Sequence, residues 1–181
     1  MASRALLQGT TLATTTFFSA DVAAQIIQQS SEQQVLTPVS FAATWDPLRS
    51  FKTAAFGTAV VGWYSLSSTY FLSRVFPRTP AGMTLPSAAL HAVANQALFA
   101  PPLTFSFLYL MADVVYEDPM AFDTARQKFP DVSATAWTVL PASNALVNWG
   151  VRAAGPRRFL LNGIGLGWAT YLALAVTPES Q

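Results

Sequence analysis

The stretch RRFLLNGIGLGWATYLALAV (157–176) carries its only charges, Arg157 and Arg158, at its start. A helix rises 1.5 Å per residue, and crossing the hydrocarbon of a bilayer takes roughly 20 apolar residues. This segment has that length and that composition. The rest of the chain agrees with it. Hydrophobic residues make up 52% of the 181 residues and charged residues only 10%. Soluble domains carry about 25% charge. A chain of this length could bury one ordinary core, but it would have little charge for an aqueous surface. Lipid accepts an apolar exterior.

Working back from that segment, residues 133–151 form a fourth candidate helix with Pro141 inside it. Before it, EDPMAFDTARQKFP (117–130) is charged and only weakly amphipathic. Asp118 is a cap candidate there and Pro119 a first helical residue, so 118–130 reads as a short interfacial helix. Residues 86–116 exceed one crossing. Pro101 and Pro102 lie near their centre, where a missing donor and crowded rings predict a kink. FPRTPAGMTLP (76–86) is a turn with three prolines and one glycine. The second candidate helix is 49–76, and the first is 6–28, rich in Thr and Ala. Arg4, with no acid before Asp21, gives the N-terminus the charge bias of an organelle presequence, but the reading adopted is a first membrane helix. The expected fold is therefore all-α: one transmembrane domain, 1–181, of four to five membrane helices plus the interfacial helix. The fourth segment either crosses or is re-entrant.

With five crossings, Arg4, Arg74, Arg78, Arg152, Arg157 and Arg158 share one side with no acid. The other side holds Glu32, Asp46, Arg49, Lys52, Glu179 and the acidic 113–131 segment. That asymmetry matches the positive-inside bias.

Ten Lys and Arg against nine Asp and Glu leave no basic surface for a nucleic-acid partner. Without cysteine, and with one histidine, there is no thiolate nucleophile, Cys metal site or His cluster. No metal or cofactor is expected, and no triad can be assembled, so the chain is not read as an enzyme.

The polar residues inside apolar segments are the candidate site. Asp21 and Gln25 lie one turn apart and so share a face. A carboxylate in a membrane helix usually faces a bundle interior or an aqueous cavity. As function, the pair would line or gate a pore; as structure, it is an interhelical anchor. His91, Asn95 and Gln96 form a second group, able with Asp21 to make one polar core. A neutral, hydrogen-bonded His91 is favoured over a pH-sensitive gate. Asn144, Asn148 and Arg152 follow an i, i+4, i+8 ladder, either a solute path with Arg152 at its mouth or amide-mediated packing. Gly163 and Gly167 are a small-xxx-small pair, and Ala54, Thr58 and Gly62 offer a second such face.

A set of short motifs runs through the chain in order. Asp21 and Gln25 are followed by Asp46 and Arg49, then Gly57 and Trp63-Tyr64. Asn95-Gln96 precedes Ala100-Pro101. Lys128-Phe129-Pro130, Trp137 with Pro141, Asn148-Trp149, Arg157, and Trp168 with Tyr171 and Leu172 complete the series. In this order and spacing, over about 20–175, the chain resembles the family of small organelle-membrane proteins named for the 22-kilodalton peroxisomal membrane protein. That family includes the Mpv-seventeen-like proteins of the mitochondrial inner membrane. Departures from the pattern are Asn95 for Asp, Leu140 for Trp, Trp149 for Phe, Gly62 for His, Thr58-Ala59 at the Gly-Pro step, Ala153 for Pro and Ala173 for Ser.

The resemblance implies a four-helix-type membrane core in the mitochondrial inner membrane or, alternatively, the peroxisomal membrane. It also implies a small-solute channel whose lining would be Asp21, His91, Asn95, Asn144 and Asn148. The departures suit a member recruited as a non-catalytic accessory subunit of a large inner-membrane complex. Its expected partners are membrane lipids and neighbouring transmembrane subunits.

Overall fold

The computed structural model describes residues 2–32, 38–77 and 82–176. Every regular element among them is helical: α1 (Ala2–Glu32), α2 (Pro38–Thr44), α3 (Pro47–Phe56), α4 (Gly62–Val75), α5 (Leu85–Leu98), α6 (Ala100–Leu110), α7 (Ala121–Gly150) and α8 (Ala154–Val176). A π-helical turn, Gly57–Val61, joins α3 to α4, and another, Met111–Val115, ends α6.

Local chemistry sets the boundaries. Asp46 accepts the Arg49 N–H at 3.0 Å, and Pro47 starts α3 where a backbone donor is dispensable. Thr84 caps α5, with Pro86 in the first turn. The helix stops at Phe99 and restarts with Pro101 and Pro102 in the first turn of α6, so the missing donors fall where no intrahelical acceptor waits. The two axes meet at 42°. Glu117 adopts a left-handed φ of 53° after the second π turn, and Asp118 N–H reaches back to the Ala112 carbonyl at 2.9 Å. The bond spans six residues, one more than the closing bond of a Schellman stop, as expected where the last turn is π-helical.

Two segment readings are corrected. The proposed interfacial helix 118–130 and the fourth helix 133–151 are one element: α7 runs for 30 residues through both Pro130 and Pro141. Each proline removes one bond, and the carbonyls left over, on Arg126 and Trp137, belong to exposed residues, where a helix bends outward at little loss. Asp118 is also not the residue next to the helix. Its carboxylate accepts the Met120 N–H (2.8 Å) and the Thr124 hydroxyl (2.6 Å), and α7 starts at Ala121. The second segment is likewise interrupted by the π turn at Gly57–Val61.

Three helix pairs run antiparallel. Asp21 pairs with Arg49 while Thr14 pairs with Thr58, which opposes α1 and α3. Lys128 reaches Ala175 and Thr135 reaches Tyr171, which opposes α7 and α8. Phe76 meets His91 and Phe71 meets Phe99, which opposes α4 and α5. The core gathers Phe17 and Ala20 of α1, Phe107 and Leu108 of α6, Met111 of the second π turn, Ala125 of α7, and Ala169 and Leu172 of α8. Its alanines let the backbones approach closely and gain dispersion contacts.

Among the described residues, Gly155–Val176 is long and apolar enough to cross a membrane, and the bent α5–α6 pair qualifies as one broken span. Helices α1 and α7 have the length, 31 and 30 residues, without an equally apolar, charge-poor window. Only 22% of the apolar stretch of α8 is buried against the rest of the chain, whereas the core helix of a soluble protein is mostly covered. Phe51, Leu90, Leu146 and Phe159 are also well exposed, on four different helices. Exposed apolar side chains are thus spread over several helices of the molecule.

Candidate functional site

The polar centre of the molecule is the junction of α1 and α3. Asp21 is 0% exposed and Gln25, one turn on, is buried with it. Across from them, α3 offers Arg49 and Ser50 immediately after its Asp46 cap. Arg49 Nε donates to Asp21 Oδ1 at 2.8 Å. Asp21 Oδ2 accepts from Gln25 Nε2 (2.7 Å) and from the Ser50 hydroxyl (2.8 Å). Gln25 also binds the cap itself: its Oε1 accepts the Asp46 N–H at 2.8 Å, and its Nε2 lies 3.1 Å from the Asp46 carbonyl. Trp45 Nε1 donates to Ser50 Oγ at 3.2 Å, and Arg49 Nη1 to Gln28 Oε1 at 3.1 Å. The guanidinium sits 5.3 Å from the centre of the Tyr116 ring, which brings the end of the second π turn into the same group. Nearby, Lys52 reaches Glu117 at 3.2 Å in an exposed pair.

Three donors on one buried carboxylate make a closed anchor. The arrangement holds α1 to α3 through charge-assisted bonds, which are shorter and stronger than neutral ones. Both carboxylate oxygens have donors within the chain, and neither is exposed.

The two acidic motifs, Asp21 with Gln25 and Asp46 with Arg49, thus fall into one cluster although 20 residues separate Gln25 from Asp46 in sequence. Three members went unread in the sequence: Trp45, Ser50 and Thr53. Ser50 had a legible signal, because Ser50, Ala54 and Thr58 form one stripe at i, i+4, i+8. Thr53, buried beside it, donates to the Arg49 carbonyl (2.9 Å) and lies 3.6 Å from Met111 Sδ.

The other candidates lie elsewhere. His91 does not join Asp21. It sits half-buried on α5 with its ring edge-on to Phe76, 5.9 Å between centroids. Gln96 is buried and Asn95 half-buried on α5. Asn148 is buried and Asn144 half-buried on α7, the helix against which α5 packs most extensively. The two helices that pack together thus each bury one amide, Gln96 and Asn148. Arg152 is not part of α7, because the helix ends at Gly150 and Arg152 is exposed in the following turn. The i, i+4, i+8 ladder is thereby cut to two members.

Close approach of helices occurs at a different glycine from the expected pair. A Cβ on Gly163 or Gly167 would meet nothing within 4 Å, so neither contacts another helix of this chain. Among the described residues, the surfaces of α8 that meet α1 and α7 do not include them. A Cβ on Gly57 would instead run into the ring of Phe17. Ala54 is buried beside it, and Thr58 Oγ1 meets Thr14 Oγ1 at 2.7 Å. Gly62 and Trp63 open α4, and their side-chain positions lie outside the described residues. Among the remaining motif residues, Lys128 donates to the Ala175 carbonyl at 2.6 Å and so satisfies the last turn of α8. The Tyr171 hydroxyl donates to Thr135 Oγ1 at 3.3 Å, and Trp168 packs on Tyr171. Arg157 Nη1 lies 3.5 Å and 3.4 Å from the carbonyls of Val151 and Arg152. Tyr64 is half-buried and Trp137 exposed.

No protein-family model, no curated protein and no solved structure matches the chain.

Proposed function

We propose that this chain is an integral membrane protein of the mitochondrial inner membrane, a divergent member of the 22-kilodalton peroxisomal membrane protein family. In this reading it serves as a non-catalytic accessory subunit of a larger membrane assembly. The observation that carries the reading is the contrast between its inside and its outside. The buried carboxylate of Asp21 is fully engaged by Gln25, Arg49 and Ser50, so the strongest polar residue in the bundle serves cohesion. Outside, α8 keeps an apolar face in which Gly163 and Gly167 stand open beside exposed Leu160 and Leu166. A neighbouring transmembrane helix could approach that face closely.

Native electrophoresis of gently solubilised organelle membranes tests this directly. Co-migration with one large complex, lost in a Gly167→Leu variant whose own fold survives, is the expected result. A species of the chain's own size, whatever the detergent, would overturn it.

A small-solute channel is the second reading, and the burial of Gln96 on α5 and Asn148 on α7, two helices that pack together, favours it. Solute flux through liposomes holding the purified chain alone, abolished by Asn148→Leu, would establish that reading over the first.

A further inference from the structure

The end of the bundle remote from the Asp21 anchor carries charge of one sign. Three arginines fall within seven residues at the α7–α8 turn: Arg152, Arg157 and Arg158. Arg74, at the end of α4, lies on the same side and covers the Tyr70 ring at 4.3 Å. Among the described residues no Asp or Glu lies at this end, and none of the three turn arginines meets a carboxylate. Among the described residues, Arg157 Nη1 meets the turn carbonyls of Val151 and Arg152. Those contacts fix the guanidinium against the turn and leave its other N–H groups directed elsewhere. Arg152 and Arg158 are exposed. The first turn of α8 contains no acidic residue, so its free N–H groups add to the positive field.

Apolar surface borders this charge on both helices. Trp149 is exposed at the end of α7, and Phe159, 76% exposed, follows Arg158 directly on α8. Arginines beside an uncovered aromatic and an uncovered indole form an amphipathic boundary. Such a boundary offers guanidinium groups to a phosphate diester and apolar surface to the acyl chains beside it. Arginine suits this role because its planar fork binds phosphate oxygens in pairs.

We infer that the α7–α8 turn is a headgroup site for an anionic phospholipid, with Arg152, Arg157 and Arg158 on the phosphate and Trp149 and Phe159 against the acyl region. The inference rests on the membrane reading proposed above. The occupant is a lipid of the surrounding bilayer. Charge complementarity selects an anionic headgroup, and the adjoining apolar surface requires acyl chains.

The test uses the full-length chain purified in a neutral detergent. Retention of added phosphatidylglycerol is compared with that of phosphatidylcholine by native mass spectrometry, with inorganic phosphate as a third arm. The double variant Arg152→Gln/Arg158→Gln spares Arg157, whose turn contacts bear on folding. Arg126→Gln removes an exposed charge from the opposite end. Each arginine near a lipid surface contributes about fivefold in affinity, so the double variant should lose roughly 25-fold in phosphatidylglycerol binding, and Arg126→Gln should lose none. Equal retention of both lipids by the wild-type chain would overturn the proposal, as would undiminished binding by the double variant. Competition by inorganic phosphate at equal concentration would show an anion site without lipid, and that also overturns it. Alkaline carbonate extraction of native membranes probes the other premise separately. Release of the chain would refute its integral membrane character, whatever the lipid arms give.

Discussion

Replacing Asp21 by Asn keeps the size of the side chain and one carbonyl acceptor while deleting its charge. Arg49, whose side chain is only 11% exposed, is then left as a cation without its counterion. Removing one partner of a buried pair typically costs about 3–5 kcal/mol, most of it the penalty of the stranded charge. The lower end applies here. Arg49 retains Gln28 at 3.1 Å and the face of Tyr116, and a cation–π contact is worth about 0.5–2 kcal/mol. About 3 kcal/mol is a shift of roughly two orders of magnitude in the folding equilibrium.

Two comparisons give that number meaning. Ser50→Ala removes one donor to the same carboxylate, and interhelical hydrogen bonds in membrane proteins average about 0.6 kcal/mol. Lys52→Met breaks the pair with Glu117, whose side chain is 80% exposed, and exposed pairs are worth about 0–1 kcal/mol. The expected order of destabilisation is Asp21→Asn, then Ser50→Ala, then Lys52→Met. Unfolding of the detergent-solubilised chain by dodecyl sulfate, followed by tryptophan fluorescence, measures it. Trp45 bonds Ser50 and so reports on the junction. The double variant Asp21→Asn/Arg49→Met should recover most of the loss, because the stranded charge is gone. The anchor argument fails if Asp21→Asn is no worse than Lys52→Met, or if the double variant is as unstable as Asp21→Asn alone.

Gly57→Ala should cost about 1–3 kcal/mol by overpacking, since its new methyl meets the Phe17 ring; adding Phe17→Leu should restore part of it in the same unfolding assay. Gly167→Leu should leave the stability of the isolated chain unchanged or slightly raised, because nothing lies within 4 Å and leucine favours helix more than glycine does; thermal unfolding of the purified chain checks this. The Thr124 hydroxyl, the Met120 N–H and, more weakly, Lys128 hold the Asp118 carboxyl below its ordinary range. A depressed folded-state value stabilises above the unfolded-state value and is lost as pH falls through the folded one. The start of α7 should therefore keep its amide-exchange protection down through the ordinary carboxylate range and lose it only below, and Asp118→Asn should abolish that acid transition.

Much of the helical layout was legible because its causes are local. The Pro101–Pro102 pair removes donors wherever the helix goes, so a break near it follows from the sequence alone. Pro130 and Pro141 carry the same chemistry and do not end α7. Whether one missing bond breaks a helix depends on which side must bend, and that is set by neighbours many residues away. The same limit applied to the glycines. The spacing of Gly163 and Gly167 says that a backbone can approach, but the direction in which α8 finds its neighbours decides whether one does. Gly57 belonged to neither small-residue face and makes the close contact, because antiparallel pairing of α1 with α3 delivers Phe17 to it. Asp21 with Gln25 and Asp46 with Arg49 could each be noticed as short motifs. That the first accepts from and caps the second is a tertiary fact.

The anchor also bears on how a solute would have to travel. A carboxylate lining an aqueous path offers lone pairs to whatever passes, and it must exchange partners quickly. Asp21 has no exposed surface, and its two oxygens are taken by donors from both helices. Freeing it would strand Arg49, so conduction past this point requires breaking the contact that holds α1 to α3. The amides of α5 and α7 face no such conflict. They are neutral, and rearranging one costs a hydrogen bond instead of an ion pair. Asp21 therefore belongs to the part of the bundle that must stay shut.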